Sequence, residues 1–482
     1  MPRFALCLFL TFPLPLLAAG HDLTKVPPAA NQIYPVVTGN GSGFTTAWME
    51  SAISRNAVVS SEVSAGGEPI EGAGAAIDQQ PVRSVAIAHS PTETLVVWVA
   101  DQNVFAERLS LSGMPLNTIV LTSDKTYPSS VAVAWNGSRY FVVWSNQFQL
   151  LSAFIAPDGS ATPPHALFSE PSIDAQSAPT ELPVMPDVAW DGRNFIVVFA
   201  DLPNLICSTL CPSPNPDQFR VMRVSADGDA IDSAPLVIAG AHVIAHVASS
   251  GTESLITLDS FGQVSTIVAH DDGDLTLDTE TPLFRWFSDV SSAVVWDGSA
   301  YTVGWRYVGH TPGPSWMGVA HITPSGLPFA YRFTAAGSAF PYGGTTSWGR
   351  PSAAVNETGI TAFTISEATA PSSFVRARLY LASELAPMPA PPPAPGNVVN
   401  YVSGNTARID WQSETADGFA VEWSWDSGKS WSGYATVSGD ARTTTVYARP
   451  GIQFRVRALG PGGMSEGTVT SIASPQRRRA SH

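Results

Sequence analysis

Short runs of β-branched and aromatic residues, separated by Gly-containing turns, fill most of the chain. The clearest is Val131–Trp135, then Asn136-Gly137, then Tyr140–Trp144. The pattern returns at Val188–Trp190, Asp191-Gly192, Phe195–Phe199 and at Ala293–Trp296, Asp297-Gly298, Tyr301–Trp305. Weaker copies end at Trp48, Trp98, Leu258 and Phe363. In five copies the turn Gly stands seven positions before the closing residue: Gly41/Trp48, Gly137/Trp144, Gly192/Phe199, Gly251/Leu258 and Gly298/Trp305. Such flanks predict a β-hairpin, with Asn-Gly or Asp-Gly supplying the positive φ of a tight turn.

Each unit continues into a third strand, a second turn and a short fourth strand. Leu151–Ala156, Pro157-Asp158-Gly159 and Ala166–Ser169 are one example. Four antiparallel strands in about 50 residues, repeated seven times over residues 33–385, predict an all-β, seven-bladed β-propeller. A strand from the start of the chain is expected to close the last blade, which removes the exposed edges of an open array. A flat solenoid is the alternative. Residues 386–395, Ala386-Pro-Met-Pro-Ala-Pro-Pro-Pro-Ala-Pro395, read as a stiff polyproline-type linker.

Beyond the linker, residues 396–474 alternate as strands of a small β-sandwich. Trp411, Val421-Glu422-Trp423, Phe454–Ala458 and Ser465 resemble a fibronectin type III module, with Phe454 where that family carries a core Tyr. The repeat of residues 33–385 resembles those of secreted bacterial β-propeller repeat proteins, a resemblance that implies no particular chemistry.

Composition narrows the classes. With 44% hydrophobic and 13% charged residues, 39 Gly and 40 Pro, the chain is neither a charged disordered segment nor a coiled coil. A net charge of -15 argues against nucleic acid or an anionic membrane as partner. Arg3, the apolar stretch Leu6–Leu17 and the small residues Ala18 and Gly20 read as a signal peptide over residues 1–20, cleaved before His21. No later segment has the length and apolarity of a spanning helix. The expected location is therefore secreted, extracellular or periplasmic, without membrane insertion. Cys7 leaves with the signal, and Cys207 and Cys211 are expected to form a local disulfide in an oxidising compartment. A metal site there would need two further ligands, and no His lies nearby.

Catalytic signatures are missing: there is no His-Glu-x-x-His, no Gly-x-Ser-x-Gly and no phosphate-cradling Gly loop. Neither a catalytic residue nor a cofactor nor a metal ligand is assigned. Ser424-x-Asp426-x-Gly428-x-x-Trp431 matches the Asp-box pattern of sialidase propellers, but it lies in the sandwich and reads as a hairpin turn. Asp271-Asp272-Gly273-Asp274 with Asp278 offers oxygens to Ca²⁺ or serves as turn chemistry.

Tryptophan carries more information. Of 14 Trp, seven occupy repeat positions and four belong to the sandwich, leaving Trp286, Trp316 and Trp348 in connections around the sixth unit. They either plug gaps between blades or form a stacking platform for a sugar or aromatic ligand. Turns after strands one and three are short, whereas connections after strands two and four are long, which marks the second set as the working face. There Trp286, Trp316 and Trp348 neighbour Tyr307, Tyr342, His310, Arg306 and Arg350, a set suited to a glycan, above all an acidic one. The function read from the sequence is non-enzymatic binding or adhesion, engaging glycans or cell-surface proteins. The alternative is a carbohydrate-active hydrolase or lyase.

Overall fold

The computed structural model describes His21–Asp22 and residues 31–472, except 53–54, 71–74, 79, 123–127, 147, 170–180, 204–217, 239, 241, 261–262, 286–289, 308–315, 336–350, 370–371, 382–389, 415, 417, 430 and 461–462. The expected signal peptide and the Cys207–Cys211 pair lie outside the described residues. No described helix is long and apolar enough to cross a membrane.

All described regular structure is β, in a propeller-like arrangement. Seven antiparallel sheets follow one another at residues 31–78, 82–120, 128–169, 181–238, 242–285, 290–335 and 352–381. In each of the first six, four strands lie side by side in chain order, and the fifth also carries Thr281–Arg285. The seventh supplies three strands, and its fourth place is taken by His21–Asp22, with His21 opposite Ala377 and Asp22 opposite Arg376.

Burial explains why the second strands read as unbroken apolar runs. Glu93–Ala100 is buried along its whole length because both its faces pack on neighbouring sheets. The outer strand Pro115–Val120 is exposed almost throughout. Apolar clusters join each sheet to the next. Trp98 packs with Ala47 of the first sheet, and Tyr140 and Trp144 pack with Leu95 and Val97 of the second. Phe195 stacks on Phe141, with centroids 4.2 Å apart, and Ile256 meets Ile196. Trp305 lies with Leu255, and Phe363 with Val319. Trp48 of the first sheet then packs with Ala362 and Leu379 of the seventh, which brings the sequence of contacts back to its start.

The repeat residues divide the work. Trp48, Trp98, Trp144 and Trp305 are fully buried between sheets. Trp135, Trp190 and Trp296 pair across the hairpin with Tyr140, Phe195 and Tyr301 at centroid distances of 4.7, 4.7 and 4.9 Å. The turn glycines take φ of +90° at Gly41, +94° at Gly137, +93° at Gly192, +93° at Gly251 and +97° at Gly298. A side chain added at Gly137 would meet open space, so backbone conformation and not crowding fixes this residue.

The Asx residue before it differs from expectation: none of Asn40, Asn136, Asp191 or Asp297 takes positive φ. A single positive φ at the first central residue is the mark of a type II′ hairpin. Asx acts through its side chain instead, Asn136 Oδ1 accepting the Ser138 and Arg139 N–H groups at 3.0 and 2.9 Å.

Two further sheets pack face to face over residues 396–471. One comprises Gly396–Ser403, Thr406–Gln412 and Thr443–Tyr447, and the other is built on Gly418–Ser424 and Gln453–Gly460. Trp411, Phe419, Val421, Phe454 and Val456 fill the space between them. The Asp-box residues make a turn between paired strands, in which Ser424 Oγ donates to Asp426 at 2.7 Å and receives the Gly428 N–H at 2.8 Å. On the other side Ala420, Leu459 and Met464 join the apolar cluster of the fifth and sixth propeller-like sheets.

Candidate functional site

The first strands of all seven sheets line one cavity of about 550 Å³. Counting back four positions from the turn-opening residue of each repeat gives Val36, Ala86, Ala132, Asp187, His246, Ala293 and Ser352. All seven line the cavity, so one position of the repeat forms a ring around it. Five members are small or apolar, whereas Asp187 and His246, in adjacent sheets, bear ionisable side chains.

Asp187 bridges the fourth and fifth sheets. Its Oδ2 accepts the Val247 N–H at 3.0 Å and faces His246 Nδ1 at 3.1 Å, while its Oδ1 accepts the Val188 N–H at 2.9 Å. The imidazole therefore donates through Nδ1, and its Nε2 is buried without a hydrogen-bond partner. The same kind of link recurs around the cavity. Ser84 Oγ accepts the Val131 N–H at 3.3 Å, Ser130 Oγ that of Met185 at 2.9 Å, and Ser352 Oγ that of Val37 at 3.2 Å. First strands are irregular near their entry, with register shifts between Ile33 and Val36 and between Val184 and Asp187. Tyr34 and Met185, each preceding a Pro, take φ of +54° and +53° there. These irregularities free the N–H groups that the neighbouring side chains take up.

Sheet-to-sheet bonds occur at both ends of the sheets. At the short-turn end, structural bonds run from sheet to sheet. Tyr140 Oη donates to the Glu93 carbonyl at 2.9 Å, and Arg139 donates to the Ala226 carbonyl at 2.7 Å. Arg223 is paired with Asp232 at 2.6 Å and with Asp271, and donates to the Gly273 carbonyl at 2.6 Å. Asp271 also accepts from Asn194 Nδ2 at 2.6 Å, and Asp278 lies 3.1 Å from His270. The Asp-rich turn thus holds the fourth and fifth sheets together, and no group of metal-ligating side chains gathers among the described residues.

At the opposite end the sequence-derived set is partly in view. Tyr307 and Trp316 stand opposite each other in register at the open end of their hairpin, next to Val290 and Ala335. Arg306 Nη1 donates to the Ser366 carbonyl at 2.6 Å, which ties the sixth sheet to the seventh. Trp286, His310, Tyr342, Trp348 and Arg350 lie outside the described residues. The cavity residues Arg83, Asp187 and His246 were not picked out from the sequence. Aligning the repeats on their turns exposes the last two, because they place ionisable groups at a position that is otherwise Val, Ala or Ser.

No family model matches the chain, and no curated protein matches it. Among solved structures it is similar to the Cps50 (Swd1) β-propeller domain of Myceliophteria thermophila, with TM-score 0.42 and 12% identity over 73% of this chain and 98% of that one. The Dos1 propeller gives TM-score 0.40 and 11% identity over 72% and 78%. A putative 6-phosphogluconolactonase from Bacteroides uniformis gives 0.40 and 12% over 73% and 97%.

Proposed function

We propose that this chain is a secreted binding protein: a seven-bladed β-propeller followed by a fibronectin type III-like sandwich, which engages glycans or surface proteins at its long-connection face. The observation that carries this reading is the Tyr307–Trp316 pair at the end opposite the short turns. The short-turn end is occupied by sheet-to-sheet bonds through Tyr140, Arg139 and Arg223. The other end carries the Tyr307–Trp316 pair and the entry of the first strands that line the cavity, and the sequence's long connections join strands there. Hydrolysis of a glycosidic bond ordinarily uses two carboxyl groups facing the scissile bond. Among the described lining residues Asp187 is the single carboxylate, and Val188, Val247 and His246 already hold it. That supports binding over the hydrolase or lyase alternative.

A glycan array probed with the purified protein, followed by a hydrolysis assay on any ligand found, tests the reading. Trp316→Ala with Trp348→Ala should abolish glycan binding and leave the melting temperature nearly unchanged. Early unfolding of the double variant would instead assign these rings to packing, and release of reducing sugar would favour the enzyme.

A further inference from the structure

We propose that the central cavity is a second binding site, for a small hydroxy-carboxylate of sugar-acid type, with the Arg83 guanidinium as its carboxylate anchor. The inference does not depend on the loop-face reading, since it uses none of the tryptophans.

The cavity wall carries donors that no described residue takes up. Arg83 lines it, is exposed, and has no ion pair or hydrogen bond among the described residues. Four other guanidiniums of the seven sheets are ion-paired: Arg108 to Glu93, Arg139 to Asp227, Arg220 to Asp201 and Arg223 to Asp232. Ser84 and Ser352 each accept a backbone N–H through Oγ, and neither O–H has an acceptor among the described residues. The Tyr34 hydroxyl has no partner among the described residues either. The Asp187 carboxylate oxygens are already engaged by three donors, so they are not open acceptors for a ligand.

A surplus of donors around a cation fits an acceptor-rich anion. A planar guanidinium fits a carboxylate through two parallel N–H···O bonds. His246 lies on the same wall, its Nδ1 facing Asp187 at 3.1 Å and its Nε2 buried. The volume of about 550 Å³ lies within the range of small-molecule sites.

Calorimetric titration of the full chain with glucuronate, methyl glucuronoside and glucose tests the site. Glucuronate should bind and glucose should not, and Arg83→Gln should weaken glucuronate by about tenfold or more, the loss of a charge-assisted contact. The melting temperature of that variant should not move, because the Arg83 side chain makes no ion pair or hydrogen bond among the described residues. Equal binding of the methyl glycoside would identify the terminal residue of an acidic glycan as the natural ligand, and binding of glucuronate alone a free sugar acid. Glucose binding as well as glucuronate, an unaffected Arg83→Gln variant, or no heat at about 10 mM glucuronate would overturn the proposal. Trp316→Ala with Trp348→Ala should leave the glucuronate titration intact, so failure at the loop face and failure in the cavity are read separately.

Discussion

The Tyr301 hydroxyl donates to the Glu253 backbone carbonyl of the neighbouring sheet at 2.5 Å and accepts the Ser250 N–H at 3.1 Å. A phenol at the start of one second strand thereby holds the turn of the preceding repeat. Tyr140 does the same for Glu93 at 2.9 Å, two junctions bonded by one repeat position.

Tyr301→Phe should therefore cost about 1 kcal/mol, the net value of a neutral hydrogen bond, because the Glu253 carbonyl keeps other donors. Burial, the largest cause, raises the Tyr301 pKa to about 12. The folded value is above the unfolded one, so this contribution is complete below about pH 10 and is lost as pH rises toward 12. Thermal melts across that interval should fall more steeply for the parent than for the variant. Parallel curves would exclude the tyrosine as the titrating group.

A second prediction concerns Asp191 and Asp271, which share a hydrogen bond at the fourth–fifth junction. Burial, reinforced by Asp271, raises the Asp191 pKa. Burial would also raise Asp271, but hydrogen bonds from Arg223, Asn194 and Asp191 hold it below its ordinary value. The signs are opposite. Asp191 contributes stability below its unfolded pKa and loses it as pH rises through the raised value. Asp271 contributes above its unfolded pKa and loses it as pH falls through the lowered one. Asp191→Asn should stabilise the protein at pH 7 by about 0.5–1 kcal/mol, the scale of a partly screened charge interaction. Asn fits the position, since Asn136 and Asn356 cap the equivalent turns. Denaturant unfolding at pH 7 and pH 4 measures this, and a variant less stable at pH 7 would contradict it.

How much of this was legible along the chain depends on whether a constraint is local. Gly137 and its equivalents were found by their constant offset, since positive φ at one turn residue leaves few alternatives. The buried Trp144 and Trp305 were visible for the same reason: each closes a run that both neighbouring sheets cover. The role of Asn136 was misjudged because a side-chain acceptor and a positive φ leave the same Asn-Gly signature. Arg83, Asp187 and His246 were hidden by distance. Residues 83, 187 and 246 meet only when the repeats are set around one cavity, and nothing adjacent to them in sequence announces that placement.

The turn geometry carries its own test. Gly137→Ala forces a Cβ onto a φ of +94°, although nothing lies within 4 Å of that Cβ. The cost should be about 1–2 kcal/mol, and Gly137→Asn should cost less because Asn tolerates positive φ. Melting temperatures of the two variants decide it: equal values would show that the turn relaxes to another type.

The final prediction follows from the seventh sheet. Its last full strand, Ser372–Leu381, would end the array with unpaired N–H and C=O groups if His21 and Asp22 did not lie against Ala377 and Arg376. An unpaired edge invites another chain to add to it. A protein starting at residue 31 should therefore melt a few degrees lower and show a self-associated fraction by light scattering that grows with concentration. Two paired residues are a short strand, so the loss should be small, about 1–2 kcal/mol. Asp22→Pro separates strand pairing from simple truncation. It leaves the chain length unchanged but removes one N–H and restricts the residue before it, so it should reproduce part of the effect. If the shortened chain stays monomeric with an unchanged melting temperature, the pairing of His21 with Ala377 has no part in closing the array. The contact between Trp48 and Leu379 would then be what joins the first sheet to the last.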